Sequence, residues 1–331
     1  MSENILEVKD LITAFDTEQG LVRAVDHASF SVPKGKTLGI VGESGCGKSV
    51  TAMSVIRLLP QPAGRILNGQ VVFKGRDLTG ITDKEMRRVR GNEIGVIFQE
   101  PMTALNPVHR VGRQISECFL LHKKMSKKQA WEASIEMLKL VRIPAPEQRM
   151  GDYPHQLSGG MRQRIVIAMA LACRPDLVIA DEPTTALDVT VQAQILALLQ
   201  DLKDELGMSV ILITHDLGVI AESCDEVVVM YAGRVVEKAP VDELFANPLH
   251  AYTKGLLASI PRLETEPKSK LPVIPGMVAS LTEFVPGCRF CQRMGRRGPM
   301  LRERPAFVEV EPGHWVETCS VCYGESNQNA T

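Results

Sequence analysis

The apolar positions of this 331-residue chain fall into short runs separated by turn and cap signals. Residues 5–12 run or alternate apolar and predict an edge strand; Gln70–Phe73 predicts another, close to the Gly75 turn. Gly39–Val41 is a short apolar strand that enters a glycine-rich loop. A helical pattern follows over Ser49–Leu59 and stops at Pro60. Ile94–Phe98 is a further apolar run. From Val111 to Val141 the pattern is mainly helical, with Ile115, Phe119, Met137, Leu138 and Val141 recurring at helical spacing. Leu177–Ala180 and Val210–Ile213 are continuous apolar runs, as expected of strands buried on both faces of a parallel sheet. Helices are predicted over Val191–Leu206 and Leu217–Ser223. Strands alternating with helices predict an α/β core.

The pattern changes near Pro261. Residues 261–286 hold five prolines and few periodic segments, so they read as a linker opening a small, loop-rich C-terminal unit. Composition changes the picture little: 44% hydrophobic, 23% charged and a net charge of −1. The absence of basic excess argues against nucleic-acid binding. The longest apolar run, Ile165–Cys173, is far short of the roughly 18 residues a membrane span needs. Met1–Asp10 carries acidic residues and no long apolar core, unlike a secretory signal, so the chain is expected in the cytoplasm. If it works at a membrane, other subunits hold it there.

The glycine-rich loop carries the first chemistry. Gly42-Glu43-Ser44-Gly45-Cys46-Gly47-Lys48-Ser49 fits G-x-x-x-x-G-K-[ST], follows a strand and opens a helix; the nucleotide-contacting stretch is taken to run through Val50. Gly42, Gly45 and Gly47 allow a tight turn whose N–H groups point inward, forming an anion nest at a helix N-terminus. Lys48 brings a charge to the β- and γ-phosphates, and Ser49 a hydroxyl to Mg²⁺. A second candidate is Asp181-Glu182, which ends an apolar strand at the sheet edge where α/β proteins bind ligands. Asp181 would hold Mg²⁺, and Glu182 would act as general base on the attacking water. Such acidic pairs are common on surfaces; the phosphate loop upstream is what makes this one a candidate.

Between the two lies Leu157-Ser-Gly-Gly-Met-Arg-Gln163, which resembles the LSGGQ signature of ABC ATPases, with Met161 at its last position. The order of phosphate loop, Gln99, signature, Asp181-Glu182, Ala186-Leu-Asp188 and His215 is similar to the whole ABC motif series, over about residues 5–262. The resemblance implies an ABC-type P-loop ATPase core with an antiparallel β edge and a helical subdomain at about 100–170. The ATPase domain would cover residues 1–262 and the extension 263–331. Phe15 would stack on adenine, and Gln99 would contact Mg²⁺, the nucleophilic water and the membrane subunit. Ser158, Gly159 and Gly160 would grip the γ-phosphate of ATP held by the opposite ATPase. Asp188 would lie at the dimer seam, and His215 would contact the γ-phosphate. The signature also reads mechanically: a serine and two glycines opening an apolar helix make a second anion-friendly terminus.

Phe98-Gln-Glu-Pro-Met-Thr-Ala-Leu-Asn-Pro107, Asn247–Leu257 and the tail from Ile274 to Phe290 resemble the oligopeptide and dipeptide importer group, which also contains nickel importers. That resemblance implies two integral membrane permeases, a second ATPase (self or paralogue), an exported substrate-binding protein and a peripheral place on the cytoplasmic face of the inner membrane. Nothing in these residues forms a cargo pocket, so peptide, nickel or another small solute stay open. A non-transport ABC ATPase usually carries two cassettes in one chain or a coiled-coil insertion, and this chain shows neither.

Of eight cysteines, four are scattered (Cys46, Cys118, Cys173, Cys224) and four form two C-x-x-C pairs, Cys288/Cys291 and Cys319/Cys322, 27 residues apart. The spacing suits a four-thiolate metal site. The importer group often carries a four-cysteine [4Fe–4S] cluster here. This chain departs from that pattern, with Met294 and Met300 where the family places two of the cysteines. Either Cys291 and Cys322 complete a rearranged site or the site is lost; an iron–sulfur cluster, Zn²⁺ and no metal remain open.

Overall fold

The computed structural model describes residues 3–99, 104–185, 187–260 and 272–323. Pro101 of the stretch after Gln99, Ala186 and the Pro261 end of the linker lie outside the described residues. In chain order the strands are β1 (Asn4–Thr17), β2 (Gly20–Pro33), β3 (Thr37–Val41), β4 (Gly64–Phe73), β5 (Arg76–Asp77), β6 (Ile94–Ile97), β7 (Leu177–Asp181), β8 (Ser209–Ile213), β9 (Glu226–Tyr231), β10 (Arg234–Pro240), β11 (Phe307–Glu311) and β12 (His314–Glu317). The chain divides into two compact units.

The first unit comprises Met1–Ile5, Val32–Thr37 and Gly80–Ile213. Its strands β6, β7 and β8 lie side by side and parallel, Ile94 opposite Leu177 and Leu177 opposite Ser209. β7 and β8 are buried along their whole length, which accounts for their unbroken apolar character. The helical pattern read from Val111 to Val141 is two helices, Val111–His122 and Lys127–Leu140. Lys124 takes a left-handed φ of 52° at the break. The second helix opens on a capping box: the Ser126 side chain accepts from the Gln129 N–H, and Gln129 reaches back to the Ser126 N–H. These two helices pack on each other and on Gly159–Leu171, and Ile115, Phe119, Leu138 and Ile165 are buried.

The second unit comprises Leu6–Ser31, Leu38–Thr79 and Thr214–Thr331. One sheet runs β2-β1-β4-β5. The edge-strand reading of residues 5–12 is therefore corrected: β1 is flanked on both sides. Residues 70–73 are likewise the end of a longer interior strand. A strand's own residues give its type, whereas its neighbours come from elsewhere in the chain; here they include β2, a fourteen-residue strand. In the other sheet β3 pairs in parallel with β9, and β10 pairs antiparallel with β9 and with β12. The C-terminal segment thus adds β12 and β11 to β10, Glu237 facing Val316. Val41, Val229, Tyr231, Tyr252 and Phe290 share one hydrophobic core with the four C-terminal cysteines. No helix among the described residues is long and apolar enough to cross a membrane.

Candidate functional site

The phosphate loop sits in the second unit, between β3 and the helix Lys48–Val55. Gly42 has φ 151°, and a Cβ there would come within 2.2 Å of the Met230 carbonyl oxygen. Gly47 caps the helix at φ 102°, and its Cβ would meet the Ala24 carbonyl oxygen at 2.6 Å. Both positions therefore need glycine twice over, for conformation and for space. Lys48 is buried, and its Nζ donates to the carbonyls of Gly42 at 2.6 Å and Glu43 at 3.1 Å. The ammonium is thus held against the loop backbone. Ser44, Gly45 and Ser49 are exposed, Val50 half-buried and Cys46 buried, its thiol pushed up by that burial. Phe15 lies half-buried on β1 opposite Gly64. His215 follows Thr214 as an exposed residue, and the next residue, Asp216, caps the helix Leu217–Ser223 by accepting the N–H groups of Gly218 and Val219.

The first unit holds the other candidates. Asp181, the last residue of β7, is buried opposite Ile213. Glu182 has φ 47° and donates its N–H to the Ile213 carbonyl at 2.8 Å. This left-handed turn at the strand end re-aims its carboxylate, a costly conformation for a non-glycine residue that clusters at functional sites. One carboxylate oxygen, Oε2, accepts from Gln99 Nε2 at 3.1 Å and from Thr185 Oγ1 at 2.8 Å. The structure thus brings Gln99 and Glu182, 83 residues apart, into direct contact.

Ser158 is the N-cap of the helix Gly159–Leu171, its Oγ accepting the Met161 N–H at 3.3 Å. Asp188 caps Val189–Leu206 in the same way, its Oδ1 accepting the Val191 N–H at 2.9 Å. The two helix starts adjoin: a Cβ on Gly160 would lie 2.9 Å from Val191 Cγ1. Ser158, Gly159 and Asp188 are exposed. Two helix N-termini, each a partial positive charge, therefore open on one surface of this unit.

The four C-terminal cysteines converge. Their sulfurs all lie within 4.8 Å of one another, and all four residues are buried. Cys288 caps the helix Arg289–Arg293, and its Sγ accepts the Cys291 N–H at 3.4 Å. Cys319 and Cys322 sit on a tight turn closed by Tyr323 N–H to the Cys319 carbonyl, 2.9 Å. Hydrogen bonding with Cys288 and the other thiols holds the Cys319 thiol below its ordinary range. This set of four soft donors fits a tetrathiolate metal site. Cys291 and Cys322 therefore complete a rearranged set, without Met294 or Met300.

Known proteins are similar to this chain along nearly its whole length. The chain is 55% identical to the probable peptide ABC transporter ATP-binding protein y4tR of Sinorhizobium fredii over 311 residues, covering 94% of this chain and 93% of that one. The chain belongs to the ATP-binding subunits of the oligopeptide/dipeptide ABC transporter family. The ABC transporter family model matches residues 25–185, and that of the oligopeptide/dipeptide transporter C-terminal region matches 236–299. The oligopeptide transport ATP-binding protein OppD of Bacillus subtilis is 50% identical, covering 95% of this chain and 88% of its own length. Among solved structures, the dimeric post-hydrolysis state of the ATP-binding cassette MJ0796 bound to ADP and Pi superposes with TM-score 0.64 at 26% identity, over 71% of this chain and 98% of that one. The cbiO1 protein of Clostridium perfringens, part of the transporter complex cbiONQ, gives 0.63 at 27%, over 74% and 92%. The subunit is an ATPase that works with ATP and Mg²⁺.

Two residues of this ATPase carry contacts that sequence reading missed. Tyr252 Oη accepts the Glu43 N–H at 2.9 Å. Arg293 spans the Glu43 carboxylate with two bonds, 2.5 Å to Oε2 and 3.2 Å to Oε1. Both fasten the second residue of the phosphate loop to C-terminal elements. No local pattern could have found them, since Arg293 lies 250 residues from its partner.

Proposed function

We propose that this ATPase drives import of di- or oligopeptides. What supports the cargo is the near full-length similarity to ATP-binding subunits named for peptide transport, together with the match of the oligopeptide/dipeptide C-terminal region. The ATPase domain is residues 1–262 and the extension 263–331. Its partners are two membrane permeases, a second ATPase copy or paralogue and an exported binding protein, and it sits on the cytoplasmic face of the inner membrane. The dimeric MJ0796 cassette, similar in fold, supports the paired ATPase.

The residue roles follow from chemistry. The N–H groups of Gly42–Ser49 and the Lys48 ammonium take the phosphates. Ser49, Gln99 and Asp181 supply the hard oxygen donors that suit Mg²⁺, which neutralises charge on the β- and γ-phosphates when bound. Glu182 accepts the proton of the attacking water; its contact with Gln99 aligns base and amide for that step. Phe15 packs on the adenine and His215 contacts the γ-phosphate. The exposed helix start at Ser158–Gly160 offers its N–H groups to the ATP held by the partner, with Asp188 at the seam.

The test is reconstitution of the ATPase with its permeases in proteoliposomes. Loaded binding protein should raise ATP hydrolysis and carry labelled peptide inward. Stimulation by nickel or another solute, with peptides inert, would refute the cargo and leave the ATPase assignment standing.

A further inference from the structure

The four-cysteine site adjoins the phosphate-loop grip through a single short helix, Arg289–Arg293. Three sulfur pairs stand in close contact: Cys288–Cys322 at 3.6 Å, Cys291–Cys319 at 3.6 Å and Cys291–Cys322 at 3.4 Å. Four thiolates on one tetrahedral ion with ~2.3 Å bonds stand ~3.7 Å apart, close to these values. A cubane cluster needs far more room, because each thiolate binds its own iron. Even a tetrahedron with the upper limit of 4.8 Å on every edge leaves ~2.9 Å from centre to sulfur. Subtracting a ~2.3 Å metal–thiolate bond leaves ~0.6 Å, too little to seat four irons around that centre. The [4Fe–4S] cluster implied by the resemblance therefore does not fit.

The surroundings are those of a structural site. All four cysteines are buried in the core that carries Tyr231, Tyr252 and Phe290, as a structural rather than a catalytic ion requires. The Cys291 N–H donates to Cys288 Sγ, which offsets thiolate charge. His250 is fully buried beside this core, 5.9 Å from the Phe290 ring, and its Nε2 has no hydrogen-bond partner among the described residues. The Tyr252 N–H occupies its Nδ1, so the neutral ring carries its proton on Nε2.

We propose that Cys288, Cys291, Cys319 and Cys322 bind one structural Zn²⁺, and that this ion fixes the helix from which Arg293 grips Glu43 of the phosphate loop. Cys288 caps the helix, Cys291 lies at its middle and Arg293 ends it, so the ion sets where the guanidinium stands. Arg293 is anchored on its other side by the carbonyls of Pro275 at 2.9 Å and Ile274 at 3.1 Å. The metal site thereby shapes the nucleotide site without touching the nucleotide.

The whole chain, purified without oxygen from cells supplied with zinc and iron, should hold about one zinc per chain and no acid-labile sulfide. Replacing the ion with Co²⁺ should give intense thiolate charge-transfer absorption and tetrahedral ligand-field bands. Iron with sulfide, iron alone or a metal-free chain would each overturn the zinc site. Cys322→Ser should lose the ion and weaken ATP-analogue binding by roughly 2- to 30-fold, the range for coupling through packed elements. Arg293→Gln should keep the zinc and show the same weakening. Unchanged binding in Arg293→Gln would overturn the coupling, even if Cys322→Ser proved too unstable to measure.

Discussion

Replacing Asp26 with asparagine probes what holds the C-terminal segment to the ATPase fold. Asp26, on β2, is 2% exposed, and its Oδ2 accepts from Arg234 Nε at 2.9 Å and Arg289 Nη2 at 2.7 Å. Burial alone would raise its carboxyl; the guanidiniums of Arg289 and Arg234 outweigh that and hold it below the usual range. Arg289 is itself pushed down to about 10, by burial and then by Arg234, and still carries its charge at neutral pH. Arg234 also binds the Gly287 and Pro286 carbonyls at 2.8 and 2.9 Å, the entry to the first C-x-x-C pair. The Asp26→Asn change keeps the side chain's shape but removes its charge, leaving two buried cations poorly compensated. Two charge-assisted bonds at ~1.5–3 kcal/mol each, and the ~3–5 kcal/mol typical of breaking a buried pair, set the expected loss. In a chain of this size that lowers the unfolding temperature by on the order of 10 °C. Asp16 pairs with Arg65 at 3.0 Å with both side chains about half exposed, so Asp16→Asn should cost under ~1 kcal/mol. Urea titration followed by circular dichroism compares the two variants at pH 7. As pH falls below about 4, the unfolded chain takes up a proton that folded Asp26 resists, so wild type loses this advantage there. Equal losses in the two variants, or a loss under ~1 kcal/mol for Asp26→Asn, would refute the reasoning.

Lys48→Ala should lower ATP hydrolysis by at least ~100-fold, as expected for removing a charge aimed at the transferring phosphate; steady-state phosphate release in a complex mutated at both sites reports it. Glu182→Gln should bind ATP yet turn over ~100- to 10,000-fold more slowly, since the amide keeps its shape but is a far poorer base; single-turnover kinetics at native rate would remove Glu182 from that role. Burial pushes the His250 imidazole down to about 4, against the opposing pull of Glu237 and Cys319. Between pH 6.5 and 4 the unfolded chain then holds a proton the folded one lacks, so stability should fall as pH drops through that window, by up to ~3 kcal/mol. His250→Gln should flatten this slope in urea midpoints measured from pH 7.5 to 4.5.

The legible parts of this protein are those whose chemistry is contiguous. A phosphate loop is eight consecutive residues between a strand and a helix, and its glycines announce the turn whatever packs around them. Asp181-Glu182 and Ser158-Gly159-Gly160 are local in the same sense, since a strand end and a helix cap follow from neighbouring residues. The break at Ser126 was also written locally, as a capping box inside one long helical pattern. Pairing is different, because it costs loop-closure entropy that no short window records. Residues 5–12 announced a strand, but its flanked position depended on β2 and β4. The contact of Gln99 with Glu182 required β6 beside β7. Two C-x-x-C pairs left cluster, zinc and no metal open, because spacing along a chain says nothing about distance across 27 intervening residues. The sulfurs meet because β12 pairs with β10 and carries Cys319 and Cys322 back to the core that holds Cys288 and Cys291 at the cap and middle of their helix. The same return places Arg293 on Glu43, a contact between side chains that have no local reason to meet.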